Sequence, residues 1–153
     1  MTELVSNVHL WSLLIAWFSA QFIKILIALF RREGFTLKML MASGGMPSSH
    51  SASVCALAAS IAVRQGMDSP IFAVACLFAF IVMYDAAGVR RETGEQAKLL
   101  NKISSDLSNG NTKYLERDLK ELVGHTPLQV FAGAALGIIL GVGLPHLFQL
   151  WGV

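Results

Sequence analysis

The feature that most constrains the fold is a long apolar run over residues 9–30, which contains a single charged residue, Lys24. A helix needs about 20 apolar residues to cross the hydrocarbon core of a bilayer, so this run is long enough to span a membrane. Arg31 and Arg32 end it, and neither a basic segment nor a small-residue cleavage site precedes them. We therefore expect a membrane-spanning helix and not a secretory signal.

Three further apolar runs predict a helical bundle. They cover residues 51–63, 70–84 (or 70–88 if Asp85 is included) and 128–150. The first of these is short and rich in alanine and serine, which suits a helix packed closely among neighbours. The last carries glycines at every fourth position, which predicts a helix-packing face: Gly133, Gly137 and Gly141.

Composition supports a membrane protein. Hydrophobic residues make up 54% of the 153 residues and charged residues 14%, whereas a soluble domain has about 25% charged residues. These values exclude a disordered chain and a basic nucleic-acid-binding protein, so no nucleic-acid partner is expected. The sequence predicts one all-α domain over residues 1–153, an integral membrane bundle of about four membrane-embedded helices with two amphipathic cytoplasmic helices.

Those two amphipathic helices are predicted over residues 92–102 and 114–123, on either side of an Asn-Gly-Asn turn. They lie in the polar stretch 89–124, which together with segment 31–47 holds ten of the twelve lysines and arginines. By the positive-inside rule, we expect both segments on the cytoplasmic side of a multi-pass protein of the cell membrane. A homo-oligomer is left open.

Lys24 is the first candidate for a functional site. A charge inside a span costs about 2.5–3.5 kcal/mol on insertion scales, so it is seldom kept without a use. Arg31 follows seven residues later, at nearly the same helical azimuth. The alternative is that both side chains extend to the membrane interface and have no further role.

A second candidate is the segment 44–50, Gly-Gly-Met-Pro-Ser-Ser-His, which leads into the short second run. A helix N-terminus offers free backbone N–H groups and the positive end of the helix dipole, which together bind phosphate well. The hydroxyls of Ser48 and Ser49 add donors, and His50 adds a titratable group. The alternative is a capped interfacial helix with an incidental histidine.

Two further segments bring polar groups to the same membrane face. His125 precedes a helix start predicted at Thr126 and Pro127, and Gln129 lies four residues on, where it can fix the histidine tautomer. The other segment, 84–92, ends the third run and contains Asp85, Arg90 and Arg91. An arginine pair here is suited to phosphate or to membrane anchoring. Asp85 is a candidate partner for a nearby cation.

Together these groups describe a phosphate site with a nucleophile and an acid. Three cations, two histidines and two helix N-termini are predicted to converge. No row of carboxylates suggests a metal, and no glycine-rich nucleotide loop is present. We therefore expect phosphoryl transfer without a metal or other cofactor.

The motifs resemble the divergent branch of the type 2 phosphatidic acid phosphatase superfamily, which is related to acid phosphatases and vanadium-dependent haloperoxidases. Its first signature is Lys, six residues, then Arg-Pro; Lys24 and Arg31 match, and Arg32 replaces the proline. Its second is Pro-Ser-Gly-His; three residues match, and Ser49 replaces the glycine.

The third signature is Ser-Arg, five residues, His, three residues, Asp. His125 matches, but Gln129 stands where the acid belongs, and Leu119 where the arginine belongs. The arginine role would pass to Arg90 or Arg91.

The resemblance implies a lipid-phosphate phosphatase that acts through a phosphohistidine. His125 would attack phosphorus and His50 would serve as acid and then base. The phosphate-binding set would be Lys24, Arg31, Ser48, Ser49, and Arg90 or Arg91. The substrate would be a phosphatidate or prenyl phosphate monoester in the membrane. The alternatives are a non-catalytic lipid-phosphate-binding or transport protein, which Gln129 favours, and a vanadate-dependent peroxidase, which a membrane-embedded site disfavours.

Overall fold

The computed structural model describes residues 6–30, 45–108 and 124–150. Over these residues the chain forms five helices and no strand: α1 (Val8–Phe30), α2 (Ser49–Gln65), α3 (Pro70–Ala87), α4 (Val89–Ser108) and α5 (Pro127–Leu150). The prediction of an all-α membrane bundle is confirmed. Each of the four apolar runs forms a helix close to its predicted bounds.

Helix α2 is the centre of the bundle and contacts α1, α3 and α5. Ten of its 17 residues are buried. Most of them are alanine or serine, whose small side chains let neighbouring backbones approach closely. The helix begins after Ser48, whose hydroxyl accepts a hydrogen bond from the Ser51 N–H at 3.3 Å, as serine at an N-cap does.

The contacts of α2 define the direction of its neighbours. Lys24, near the end of α1, reaches Ser49, and His9, at its beginning, lies 2.9 Å from Ser60 between Nδ1 and Oγ. Helix α1 is therefore antiparallel to α2. Helix α3 is also antiparallel, because its late residue Met83 contacts Cys55 and its early residues pack near the end of α2.

Helix α5 runs parallel to α2 and meets it along the glycine ladder. Gly133, Gly137 and Gly141 lie directly against the backbone carbonyls of Ser48, Ala52 and Ala56, one turn of α2 for each turn of α5. A Cβ atom at any of the three would overlap those carbonyls. The ladder is thus the packing face that the sequence predicts. It determines the position of α5 along the axis of α2.

Gly137→Ala is expected to destabilise the bundle, because a rigid backbone carbonyl has to move to admit the new methyl group. Overpacking of this kind costs about 1–3 kcal/mol, against a gain of about 1 kcal/mol in helix propensity. The matched control is Gly143→Ala in the same helix, where an added Cβ meets nothing within 4 Å. Thermal unfolding in detergent should show a lower Tm for the first variant only; equal Tm values would contradict the close approach.

Among the described residues, three helices are long and apolar enough to cross a membrane, by length and composition: Val8–Phe30, Pro70–Ser105, which combines α3 with most of α4, and Pro127–Leu150. Helix α2 is shorter, since 17 residues extend about 26 Å at 1.5 Å per residue. Its polar and small residues are tolerated because it is enclosed by the other helices. This agrees with the prediction that the second run packs among neighbours.

Helix α4 contains the predicted amphipathic helix 92–102 and extends it at both ends. Its charged side includes an ion pair between Lys98 and Glu95 at 3.0 Å. The second predicted amphipathic helix, 114–123, lies outside the described residues.

Candidate active site

Four helix ends meet at one end of the bundle. They are the C-terminal ends of α1 and α3 and the N-terminal ends of α2 and α5. The His125 N–H donates to the Ala86 carbonyl of α3 at 2.9 Å, and the Ser48 N–H donates to the Gln129 carbonyl of α5 at 3.0 Å. Main-chain hydrogen bonds therefore link the two predicted histidine segments to their neighbours.

His50 and His125 lie close together in this cluster. Their ring centroids are 6.2 Å apart, and the ring planes are inclined by 60°. His50 is half-buried in the first turn of α2, and His125 is buried with 3% of its surface exposed. The two residues are 75 positions apart in the chain, so only the fold brings them together.

The tautomer of His125 follows from the contacts of Gln129. Gln129 Oε1 accepts the Thr126 N–H at 3.0 Å and lies 3.3 Å from His125 Nδ1. A backbone N–H can only donate, so the atom that receives it is the amide oxygen. Nδ1 must then carry the proton, and Nε2 is left with the lone pair that a nucleophile requires.

Gln129 also completes a capping box at the start of α5. Its own N–H is 3.4 Å from Thr126 Oγ1, while its side chain accepts the Thr126 N–H. In this reciprocal arrangement each residue satisfies a donor of the other. Gln129 thus holds both the helix start and the histidine.

Lys24 enters the site from α1. Its side chain is half-buried, and Nζ donates to Ser49 Oγ at 3.4 Å. The backbone of Gly45 passes beside its aliphatic part, where φ of +90° places the glycine in the left-handed region. The ammonium therefore points toward the beginning of α2 and lies among protein atoms.

Ser48 is fully buried, and its groups are engaged within the protein. Its hydroxyl accepts from the Ser51 N–H and lies 3.1 Å from the Ser51 hydroxyl, while its own N–H is bonded to Gln129. Its role as a phosphate ligand stays a prediction. In the structure it caps α2 and joins it to α5.

Asp85 is half-buried in the last turn of α3, one residue before the carbonyl that holds His125. The backbones of Arg90 and Arg91 lie in the first turn of α4, but their side chains lie outside the described part of the structure. Arg31 also lies outside it. Within residues 6–30, 45–108 and 124–150, no group of three or more histidine, cysteine or acidic side chains is placed to hold a metal ion.

The structure brings together four of the residues that the sequence analysis selected: the two histidines, Lys24 and Gln129. The sequence analysis missed two positioning contacts. The Thr-x-x-Gln pattern at 126–129 is a capping-box signature and would have predicted the second role of Gln129. The carbonyl of Ala86 carries no sequence signal, because any residue supplies a main-chain oxygen.

The described residues define a helical membrane protein with two histidines and a lysine at one end of the bundle. The chain belongs to the Divergent PAP2 family, whose family model matches residues 5–140. It is 41% identical over 157 residues to YuiD, an uncharacterized membrane protein of Bacillus subtilis (strain 168), across 96% of this chain and 99% of that protein. No solved structure matches the chain.

Proposed function

We propose that the protein is a lipid-phosphate phosphatase that hydrolyses a phosphate monoester through a phosphohistidine, without a metal. The observation that carries this proposal is the pair of neighbouring imidazoles, His50 and His125, with their ring centroids 6.2 Å apart. At this separation both rings can contact one phosphoryl group. Membership of the Divergent PAP2 family supports phosphatase-like chemistry.

In the first step, the lone pair on His125 Nε2 forms a bond to phosphorus while the bond from phosphorus to the lipid oxygen breaks. Gln129 Oε1 accepts a hydrogen bond from the Nδ1–H, which keeps the ring in the reactive tautomer and orientation. His50, in its protonated form, donates its proton to the departing oxygen. The products are the lipid alcohol and a phosphohistidine.

In the second step, neutral His50 takes a proton from water, and the resulting hydroxide attacks the phosphohistidine. The bond between phosphorus and Nε2 breaks, which releases inorganic phosphate and restores His125. His50 is protonated again and ready for the next cycle. One group thus serves as acid and base in alternation.

Positive charge near the phosphoryl oxygens lowers the barrier of both steps, because phosphoryl transfer depends chiefly on electrostatic stabilisation. Among the predicted cations, Lys24 is the one whose side chain lies within the described part of the structure. Arg31 and one of Arg90 or Arg91 are proposed to complete the set. The N-terminal end of α2 adds the favourable end of the helix dipole.

We propose a lipid monoester as substrate and a cytoplasmic site, on the basis of the site's position at the end of a membrane bundle and of the charge bias. The test is a cysteine at exposed Ser105 in α4, in a protein with Cys55 and Cys76 replaced. An impermeant maleimide should label it only after intact cells are permeabilised. Asp68→Cys, at the opposite end of the bundle, is the control and should react from outside; the reverse pattern would contradict the orientation.

Gln129 favours a second candidate, a protein that binds a lipid phosphate without turnover, because an amide supplies no negative charge to stabilise a cationic histidine. Gln129→Glu retains a side-chain oxygen that can accept from the Thr126 N–H and from His125 Nδ1, and it adds that charge. We expect it to raise kcat about two- to tenfold, the difference between a neutral and a charged hydrogen bond. Steady-state assays of Gln129→Glu, with Gln129→Ala as the variant that loses both contacts, test this.

An unchanged rate in Gln129→Glu, with loss of activity in Asp85→Asn, would assign the orienting role to Asp85. The proposed function itself is tested by incubating the purified protein with phosphatidate and prenyl monophosphates in detergent. Release of inorganic phosphate supports a phosphatase. Tight binding without release would establish the binding protein.

A further inference from the structure

The side chain of Lys24 ends at the segment that leads into α2. Its Nζ donates to Ser49 Oγ at 3.4 Å. Gly45 leaves room beside the aliphatic part of the side chain, since a Cβ atom built on Gly45 would lie 3.7 Å from Cδ and 3.8 Å from Cγ. The hydrogen bond to Ser49 is therefore the contact that holds the ammonium.

Such a restraint solves a physical problem for a lysine in an apolar helix. A lysine side chain has about 2 kcal/mol of rotamer entropy, and near a helix end it tends to extend toward the membrane surface. An acceptor inside the protein competes with that tendency. Ser49 is such an acceptor, because it is 3% exposed and its hydroxyl faces the ammonium.

Ser49 itself is fixed by the helix. Its carbonyl accepts the Ser53 hydroxyl at 2.9 Å, and it begins α2 directly after the Ser48 cap. The acceptor therefore has a defined position relative to His50, the next residue. Lys24, Ser49 and His50 are joined through one rigid helix start.

We propose that Ser49 is a positioning residue that holds the Lys24 ammonium at the phosphate site; this inference rests on the proposed function. Ser49 acts on phosphate through Lys24. A glycine here, as in the superfamily signature, supplies no hydroxyl, so the device depends on the serine that this chain carries.

A double-mutant cycle separates this role from direct phosphate binding. Ser49→Ala is expected to lower kcat/KM about tenfold, the effect of one hydrogen bond to a charged group, and Ser49→Thr to restore most of it. In a Lys24→Ala background, Ser49→Ala should have no further effect. Equal effects of Ser49→Ala in both backgrounds would show that Ser49 acts independently of Lys24 and would overturn the proposal.

A second readout does not require turnover. Trace acetylation followed by mass spectrometry measures the reactivity of each lysine; Ser49→Ala should raise the reactivity of Lys24 several-fold and leave exposed Lys98 unchanged. Ser60→Ala, three turns further along α2 and in contact with His9, is the matched control and should leave Lys24 as in the parent. Unchanged Lys24 reactivity in Ser49→Ala would overturn the proposal.

The two readouts also distinguish this inference from the proposed function. A parent protein that hydrolyses no lipid phosphate, but whose Lys24 becomes more reactive in Ser49→Ala, would refute the phosphatase and retain the positioning role.

Discussion

His125→Ala is expected to abolish hydrolysis of lipid phosphates, with a loss in kcat of about 10⁴ or more, as for other enzymes that lose their nucleophile. Without Nε2 no bond to phosphorus forms, so no covalent phosphoenzyme accumulates. The measurement is phosphate release at saturating substrate, combined with the thermal stability of the variant in the same detergent.

The fold should survive this change, because the bond from residue 125 to the Ala86 carbonyl is made by the main chain. The matched control is His146→Ala, an exposed histidine near the end of α5, which should retain the parent rate. Residual activity in His125→Ala equal to that of the parent would refute the nucleophile assignment.

His50→Ala is expected to produce the second large loss, and its size should depend on the leaving group. General acid catalysis contributes about 10²- to 10⁴-fold, and a lipid alkoxide needs that proton. A nitrophenolate leaves readily without it, so formation of the phosphoenzyme from nitrophenyl phosphate should decline much less.

The comparison is therefore a ratio of rates for alkyl and aryl phosphates, measured in the parent and in His50→Ala by rapid quench. If the rate for the alkyl phosphate divided by the rate for the aryl phosphate falls strongly in His50→Ala, the result supports the acid role of His50. The same loss for both substrates would show that His50 contributes in another way.

Much of the fold could be predicted because the length of an apolar run and the size of its residues can be read within one segment of the chain. The run 9–30 became α1, and the Thr126-Pro127 start of α5 is where the cap pattern predicts it. The glycine ladder also indicated a close helix contact. Each of these signals lies within one segment of the chain.

The partners of those segments could not be predicted in the same way. The ladder could have packed against α1 or α3; in the structure it meets α2 at Ser48, Ala52 and Ala56, whose small side chains let the two backbones approach closely. The direction of each helix also determines whether the two histidines meet. In the structure their ring centroids are 6.2 Å apart. Such pairings arise from tertiary packing, which periodicity does not encode.

For Gln129, too, one contact could be predicted from the sequence and another could not. Its spacing from His125 placed it on the correct face of the helix, and the structure confirms the contact with Nδ1. Its simultaneous contact with the Thr126 N–H became evident only in the structure. That contact shows which side-chain atom of Gln129 is the oxygen, and this atom in turn defines the tautomer of His125. Gln129 makes this contact through a neutral amide, so it orients the histidine without adding a negative charge.

The most direct test of the proposed mechanism is to trap the covalent intermediate. The purified protein is mixed with ³²P-labelled phosphatidate or prenyl monophosphate, quenched in alkali, where phosphohistidine is stable, and digested for mass spectrometry. The mechanism predicts one labelled site, His125, with more label in His50→Ala when an aryl phosphate is the donor. Steady release of phosphate with no label on His125, or label on another residue, would contradict it.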